Sequence, residues 1–228
     1  MNKQLVNGGR ARPVKLTNRK TLIQGVETRR EVAREAARLI YIGTYKEYKD
    51  AKDAAARSLG ARSIPSNHEV ADELDRLAEG AEGPDRLRRL VEMRETALEV
   101  MRLLGDLSPT LIGSVWRGTA RKGSDVDVVI YGDPDEAERR LKKMHRVADR
   151  TVKTFTVDGV PRASTHFTVE AGGYQVEVVV RPPGDADGYR DERCDIYGDL
   201  KRGIGLAELE RLMRSDPLRR FVPRRRQR

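Results

Sequence analysis

An α+β fold is expected of this chain, on three observations. Apolar residues recur at helical spacing through roughly the first hundred positions, and the period then changes to alternation from about residue 110. Beyond that point only two helical stretches interrupt the alternating segments. The expected architecture is a small mixed sheet flanked by helices and preceded by a helical domain. A basic arm and helical domain would occupy residues 1–83, and the sheet-bearing domain with a basic tail residues 84–228.

The elements follow in order. In "ETRREVAREAARLIYIG" Val32, Ala33, Ala36, Ala37 and Ile40 share one helical face. "YKEYKDAKDAAARSLG" carries Tyr45, Tyr48, Ala51, Ala55 and Leu59 on one stripe, and Gly60 stops it. "IPSNHEVADELDRLAEG" has a capping box, Ser66 with Glu69 three residues on, followed by Val70, Leu74 and Leu77. After a break at "GAEGP", Pro84 opens a long helix to about Leu104, with Leu87, Leu90, Val91, Leu98, Met101 and Leu104 inward. Alternation predicts strands around Thr110–Ile112, Val126–Tyr131, Val152–Val157, His166–Glu170 and Tyr174–Val180. "PDEAERRLKKMHRVAD" reads as a helix between the second and third strands, and "GLAELERLMRSDPLRRF" as a closing amphipathic helix.

Composition excludes several classes. At 38% hydrophobic and 36% charged residues the chain is a folded protein with a charge-laced surface. No apolar run reaches membrane-spanning length, and the N-terminus lacks the apolar core of a signal peptide, so a cytoplasmic location without membrane partners is expected. The single cysteine, Cys194, rules out an internal disulfide framework. The 45 Lys+Arg outnumber the 36 Asp+Glu, giving a net charge of +9. The excess gathers at the ends: Arg10, Arg12, Lys15, Arg19 and Lys20 at one, "RRFVPRRRQR" at the other. Such ends are solvated tails or contacts to nucleic-acid phosphates; on the second reading Arg224, Arg225 and Arg226 are candidate RNA contacts.

The chemistry concentrates in "LIGSVWRGTARKGSDVDVVIYGD", Leu111 to Asp133. Val126, Val128 and Ile130 point one way along a strand, leaving Asp125 and Asp127 on the other face. Like charges so placed repel, and a cation resolves the conflict. Glu177, between Val176 and Val178 in "YQVEVVV", also opposes its apolar neighbours. If the two strands are adjacent, three carboxylates converge as ligands for two magnesium ions, with manganese as a substitute. Gly113 permits close backbone approach, Ser114 offers a hydroxyl and an amide to a phosphate, and "VWRGTARKG" can begin a short helix. Arg117, Arg121 and Lys122 add positive charge nearby, and with Gly113 and Ser114 they are the candidate nucleotide-binding residues.

These residues resemble the signature of the DNA polymerase beta-like nucleotidyltransferase superfamily: a hydrophobic residue, Gly-Ser, a gap, then Asp-hydrophobic-Asp-hydrophobic. Ten residues, 115–124, separate Ser114 from Asp125. The wording "GSVWRGTARKGSDVDVVI" is similar to archaeal-type CCA-adding enzymes and oligoadenylate synthetases, as is "HFTVEAGGYQVEVVVR". The resemblance covers roughly Leu104 to Arg181 and implies that Asp125, Asp127 and Glu177 bind the metals while Gly113 and Ser114 hold a nucleoside triphosphate. The third acid is more often aspartate in such relatives, and fewer than fifty residues follow Arg181, where they carry large regions gripping base and RNA. The expected activity is transfer of a nucleoside monophosphate to a hydroxyl with release of pyrophosphate, the favoured acceptor being an RNA 3′ end, tRNA-like or otherwise structured. Minimal members also modify proteins, as in toxin–antitoxin pairs, or small molecules such as aminoglycosides. A non-catalytic RNA-binding module is the remaining alternative, and the intact acidic triad argues against it.

Four other features have a plain reading and a functional one. His166 is a hydrogen-bonded structural histidine or a phosphate contact; Trp116 and Tyr174 pack in the core or rim, or stack on a base. Tyr41, Tyr45 and Tyr48 pack between helices or form an aromatic surface for bases.

Overall fold

The computed structural model describes residues 19–144, 146–157, 160–185 and 193–223. The basic arm and the tail arginines Arg224, Arg225 and Arg226 lie outside the described residues. The fold is α+β, with helices on a six-stranded mixed sheet.

Three helices come first: α1 (Arg19–Tyr41), α2 (Tyr48–Ser58) and α3 (Asn67–Glu82). Their cluster is built on Val32, Ala33, Ala36, Ala37 and Ile40 of α1 against Ala51, Ala55, Ala56, Val70 and Leu74. Alanine dominates because small side chains let the helices approach closely. The capping box closes as expected, the Ser66 hydroxyl accepting from the Glu69 amide at 3.2 Å and the Glu69 carboxylate accepting from the Ser66 amide at 2.7 Å.

The break after α3 is a single residue. Gly83 (φ +52°) turns the chain and Pro84 starts α4 (Pro84–Leu103), so the helix expected to stop at Gly80 runs on to Glu82. Within α4, Leu90, Met93, Ala97, Val100 and Met101 are buried, but Leu87 is 50% exposed rather than inward. Arg86 takes the inward place in that first turn. It donates to the Asp75 carboxylate at 2.6 Å and to the carbonyls of Ala120 and Thr119 at 2.9 and 3.0 Å, tying α3 to the segment before the acidic strand.

The strands are β1 (Thr110–Ile112), β2 (Val126–Tyr131), β3 (Arg146–Val157), β4 (Val160–Ala171), β5 (Tyr174–Arg181) and β6 (Ile204–Gly205), in the order β3-β4-β5-β2-β1-β6. Only β2 and β5 run parallel; the other neighbours are antiparallel. A short helix α5 (Gly113–Arg117) follows β1, α6 (Pro134–Leu141) follows β2, and α7 (Leu206–Ser215) follows β6. Val126, Val128, Ile130, Phe167, Val169, Val176, Val178 and Val180 form one core cluster with buried residues of α4, α6 and α7.

Several boundaries differ from the sequence expectation, α1 beginning at Arg19, α2 at Tyr48 and β4 at Val160. The helix α6 ends at Leu141, and "RVAD" instead begins β3, where Val147 pairs with Val169. The pairing with β4 overrides local helix propensity. The closing helix ends at Ser215, because Pro217 restricts Asp216 and cannot continue the i→i−4 ladder. Strand β6 is only two residues long and carries no period to read.

The chain after α7 returns to α5. Phe221 donates its amide to the Arg117 carbonyl at 2.9 Å and stacks on Trp116, ring centroids 6.1 Å apart. Beneath this contact lies Arg94 of α4, fully buried. Its guanidinium donates to the carbonyls of Val115 (3.1 Å), Trp116 (2.9 Å), Pro217 (2.6 Å) and Arg219 (3.0 Å). Burial pulls its pKa down to about 10, yet it stays charged at neutral pH. Replacing Arg94 by Met should destabilise the protein by about 3 kcal/mol or more, since four carbonyls, those of Val115 and Trp116 buried and those of Pro217 and Arg219 partly so, lose their donor. Arg94→Lys should recover little, because one ammonium lacks the planar fork. Urea unfolding of the three proteins measures this; a loss below about 1 kcal/mol in Arg94→Met would contradict it.

Candidate active site

The site is built where β1, α5, β2 and β5 meet. Asp127 lies opposite Ile112 of β1 and directly beside Glu177 of β5 in the parallel register. Val126 pairs with Val176 and Val128 with Val178, so both acids leave the apolar face together. Asp125 sits one residue before β2. One carboxylate oxygen each of Asp125, Asp127 and Glu177 lies within 4.8 Å of the others. The sequence expectation that these strands adjoin is what brings the three together.

The three acids do not share one environment. Burial first, and then the charges of Asp125 and Glu177, push Asp127 up to about 8. Glu177 goes the other way: burial opposes its charge, but hydrogen bonds and charge from His166 and Lys153 outweigh that and hold it below its ordinary value. His166 Nδ1 lies 2.7 Å and Lys153 Nζ 3.3 Å from Glu177 Oε1. A cluster in which one acid resists ionisation, first because it is buried and then because two other acids stand beside it, is matched to a divalent cation with a preference for oxygen ligands.

Gly113 and Ser114 begin α5, immediately after β1. The helix therefore starts on the Gly-Ser pair itself, not after it as the sequence suggested. Gly113 has φ +69°, and a Cβ there would lie 2.0 Å from Asp127 Oδ2. Glycine is thus required twice, for the backbone conformation and for the packing of the acid against it.

The basic candidates separate. Arg121 and Lys122 line the same cleft as Asp125, Asp127 and Ser114, and the Lys122 amide donates to both oxygens of Glu82 at 3.0 and 3.1 Å. Arg117 lines the same cleft, but its guanidinium already has protein partners. It is 5% exposed and donates to both Asp199 oxygens at 2.8 and 3.2 Å and to the Phe221 carbonyl at 3.0 Å. Its guanidinium also lies over the rings of Trp116 and Tyr197. Its partners make it a strut beneath α5, and the Arg-Gly-Thr wording did not reveal them because Asp199 is 82 residues away.

The cleft has a volume of 1140 Å³ and a second wall that the sequence did not assign. Tyr41 of α1, Tyr48 of α2, and Tyr45 and Lys46 of the loop between them line it together with Tyr174 and Tyr197. Tyr48 and Tyr197 are strongly desolvated, with Tyr48 raised to about 12 by burial. Tyr41 and Tyr45 also pack against the α1–α3 cluster, so the packing and cleft-lining readings hold together. Trp116 is a core residue, 8% exposed, and the Tyr174 hydroxyl donates to Glu92 at 2.5 Å. Lys153 was missed because its place depends on the β3–β4 register, in which it opposes Ser164.

With this geometry in hand, residues 93–181 match the family model of the nucleotidyltransferase domain. The match encloses Gly113, Ser114 and all three acids. That match supports the superfamily that the motif resembles. No curated protein matches the chain. Among solved structures, one titled "structure of GLD-2/RNP-8 complex" aligns at 14% identity with a TM-score of 0.28, over 52% of this chain and 38% of that one. No helix among the described residues is long and apolar enough to cross a membrane.

Two outcomes test this geometry. Gly113→Ala should cost at least about tenfold in activity while the protein remains folded, because the new methyl group displaces the Asp127 carboxylate. Wild-type turnover in Gly113→Ala would show that Asp127 does not need that position. Asp127 is raised in the fold, so the folded protein holds a proton there that the unfolded chain has lost; its contribution is complete below about 4 and is lost as pH rises through about 8. In metal-free buffer Asp127→Asn should therefore gain at least about 1 kcal/mol on wild type between pH 5 and pH 9. Parallel unfolding curves at the two pH values would remove the cause assigned to the shift.

Proposed function

We propose that the chain is a divalent-metal-dependent enzyme that moves a nucleoside monophosphate from a nucleoside triphosphate to a hydroxyl. The observation that carries this reading is the parallel pairing of Asp127 with Glu177 beside Asp125 and the Gly113–Ser114 turn, inside a segment that matches the nucleotidyltransferase domain. The donor set fits magnesium: three carboxylates in reach of one point, one of them raised by burial and by its neighbours. Asp125, Asp127 and Glu177 would hold two magnesium ions, or manganese in their place, and these supply charge neutralisation and activation of the attacking hydroxyl.

The residues of the chain then have distinct tasks. Gly113 and Ser114 hold the triphosphate against the acids, with Ser114 offering its hydroxyl. Arg121 and Lys122, in the same cleft, offset the charge of the polyphosphate. The acceptor hydroxyl gives up its proton to water, and its oxygen forms a bond to the α-phosphorus as the bond from that phosphorus to the bridging β-phosphate oxygen breaks, pyrophosphate leaving with that electron pair. The protein's part is to orient and to neutralise charge. The division at residue 83 follows from this reading: a helical unit before it walls the cleft, and the catalytic unit after it supplies the acids.

For the acceptor we favour the 3′ end of a structured, tRNA-like RNA, supported by the motif's likeness to archaeal-type CCA-adding enzymes and oligoadenylate synthetases and by the net charge of +9. Incubating the protein with each labelled triphosphate, magnesium and total RNA tests both levels at once. Label in RNA supports the full reading, label in a protein band moves the acceptor, and no label with any triphosphate removes the activity. Asp125→Ala and Asp127→Ala should each lower incorporation at least about a hundredfold, some 2.7 kcal/mol of barrier, with unchanged or slightly raised stability because a repelling acid is gone. Deleting Arg224–Arg228 should weaken RNA binding across unrelated sequences and flatten its salt dependence, leaving triphosphate binding intact. An unaltered salt slope would dismiss those arginines as phosphate contacts.

A further inference from the structure

Glu177 carries its carboxylate on two methylenes, one more than its partners Asp125 and Asp127. That extra torsion gives it more rotamers to lose before it can ligate. Something must hold it.

The face of the sheet that bears Glu177 supplies the means. Thr168 of β4 is directly opposite Glu177, so His166, two residues along, is its diagonal neighbour on the same face. Ser164 is two residues further along that face, and Lys153 of β3 is opposite Ser164. His166 Nδ1 lies 2.7 Å from Glu177 Oε1, and His166 Nε2 lies 2.9 Å from Ser164 Oγ. Since a carboxylate only accepts, Nδ1 carries the hydrogen. With the ring neutral, Nε2 then accepts from the Ser164 hydroxyl, and the chain of bonds has a single direction.

We propose that His166, oriented by Ser164, is the positioning residue of the third acid: it fixes Glu177 Oε1 and leaves Oε2 to take a divalent cation. The inference rests on reading the triad as a metal site. Two observations separate His166 from its neighbour Lys153, which reaches the same oxygen. The His166 side chain is 14% exposed and backed by a Ser164 that is 5% exposed, whereas the Lys153 side chain is 60% exposed on a flexible stem. A packed ring with both nitrogens engaged holds one geometry; an exposed ammonium contributes screened charge. Nor is His166 needed to join β4 to β5, because a continuous backbone ladder from Thr165 to Ala171 already does so.

A double-mutant cycle with a binding readout tests this. Manganese(II) alone is titrated calorimetrically into the full chain, and turnover is measured in parallel. His166→Ala should weaken manganese binding by about tenfold and lower kcat, with the KM for triphosphate within about twofold. His166→Asn, whose amide can donate from nearly the Nδ1 position, should recover most of the loss. In a Glu177→Asp background the shorter acid no longer reaches the ring, so adding His166→Ala should change affinity less than about twofold. Equal losses in both backgrounds, or unchanged manganese affinity in His166→Ala, would overturn the positioning role. If His166→Ala fails to fold, Ser164→Ala decides: it should weaken manganese binding about two- to fivefold, and wild-type affinity there would overturn the ordered chain of bonds. The underlying reading fails separately: manganese affinity unaltered in Glu177→Gln would remove Glu177 from the metal site, and affinity unaltered in Asp127→Asn as well would mean that the acids are not a metal site.

Discussion

The parallel register of β2 and β5 is the constraint on which the rest of the site depends. It places Asp127 beside Glu177 and, by the alternation of strands, turns Val126, Val128, Val176 and Val178 to the opposite face. Burial of those valines with α4, α6 and α7 fixes the register, because a slip by one residue would turn the acids into the core. The hydrophobic effect therefore enforces an electrostatic conflict on the other side of the sheet. The raised Asp127 is the local record of that conflict. An apolar core strong enough to hold two carboxylates together in the absence of a counter-ion is what makes the cluster ready for one.

Two devices keep the Gly-Ser turn against those acids. Gly113 allows the approach, since no side chain fits between it and Asp127. Arg94 secures it from behind, joining the carbonyls of Val115 and Trp116 in α5 to those of Pro217 and Arg219 in the closing segment. A buried guanidinium is costly to desolvate, and a neutral residue would fill the space more cheaply. Its use is geometric: four acceptors on two remote segments are aligned by one rigid planar donor. Arg117 and Asp199 extend the same support outward, and Phe221 completes it by stacking on Trp116.

The sequence made the acid pair and the strand that bears it plain, because alternation and a two-residue spacing are local properties. Glu177 was legible for the same reason; its adjacency to Asp127 was a topological guess, made good by the register. The helices over Asn67–Glu82 and Pro84–Leu103 were legible from a capping box and an N-terminal proline. What was not legible depended on partners far along the chain. Arg117 resembles a free cation until Asp199 folds onto it, and Leu87 resembles a core residue until Arg86 takes the inward place. Residues 146–149 carry helix-compatible side chains, and only the long β3–β4 pairing makes them a strand. Lys153 and Ser164 belong to the site through that pairing alone.

The helices before residue 83 acquire their meaning from the same contacts. Glu82 receives the Lys122 amide and also pairs with Arg89, and Asp75 pairs with both Arg86 and Arg220. These ion pairs lie at the junction between the two cores, where partial burial strengthens charge-assisted bonds relative to exposed ones. They hold the helical unit so that Tyr41, Tyr45 and Tyr48 look across a 1140 Å³ cleft toward the acids. Asp125 and Asp127 line that cleft together with Arg121 and Lys122, so its wall carries both signs of charge. On the proposed function a triphosphate alone would be drawn to the basic residues and repelled by the acids. Cations held by the acids would reverse that repulsion, and the charge layout would then couple nucleotide binding to metal binding.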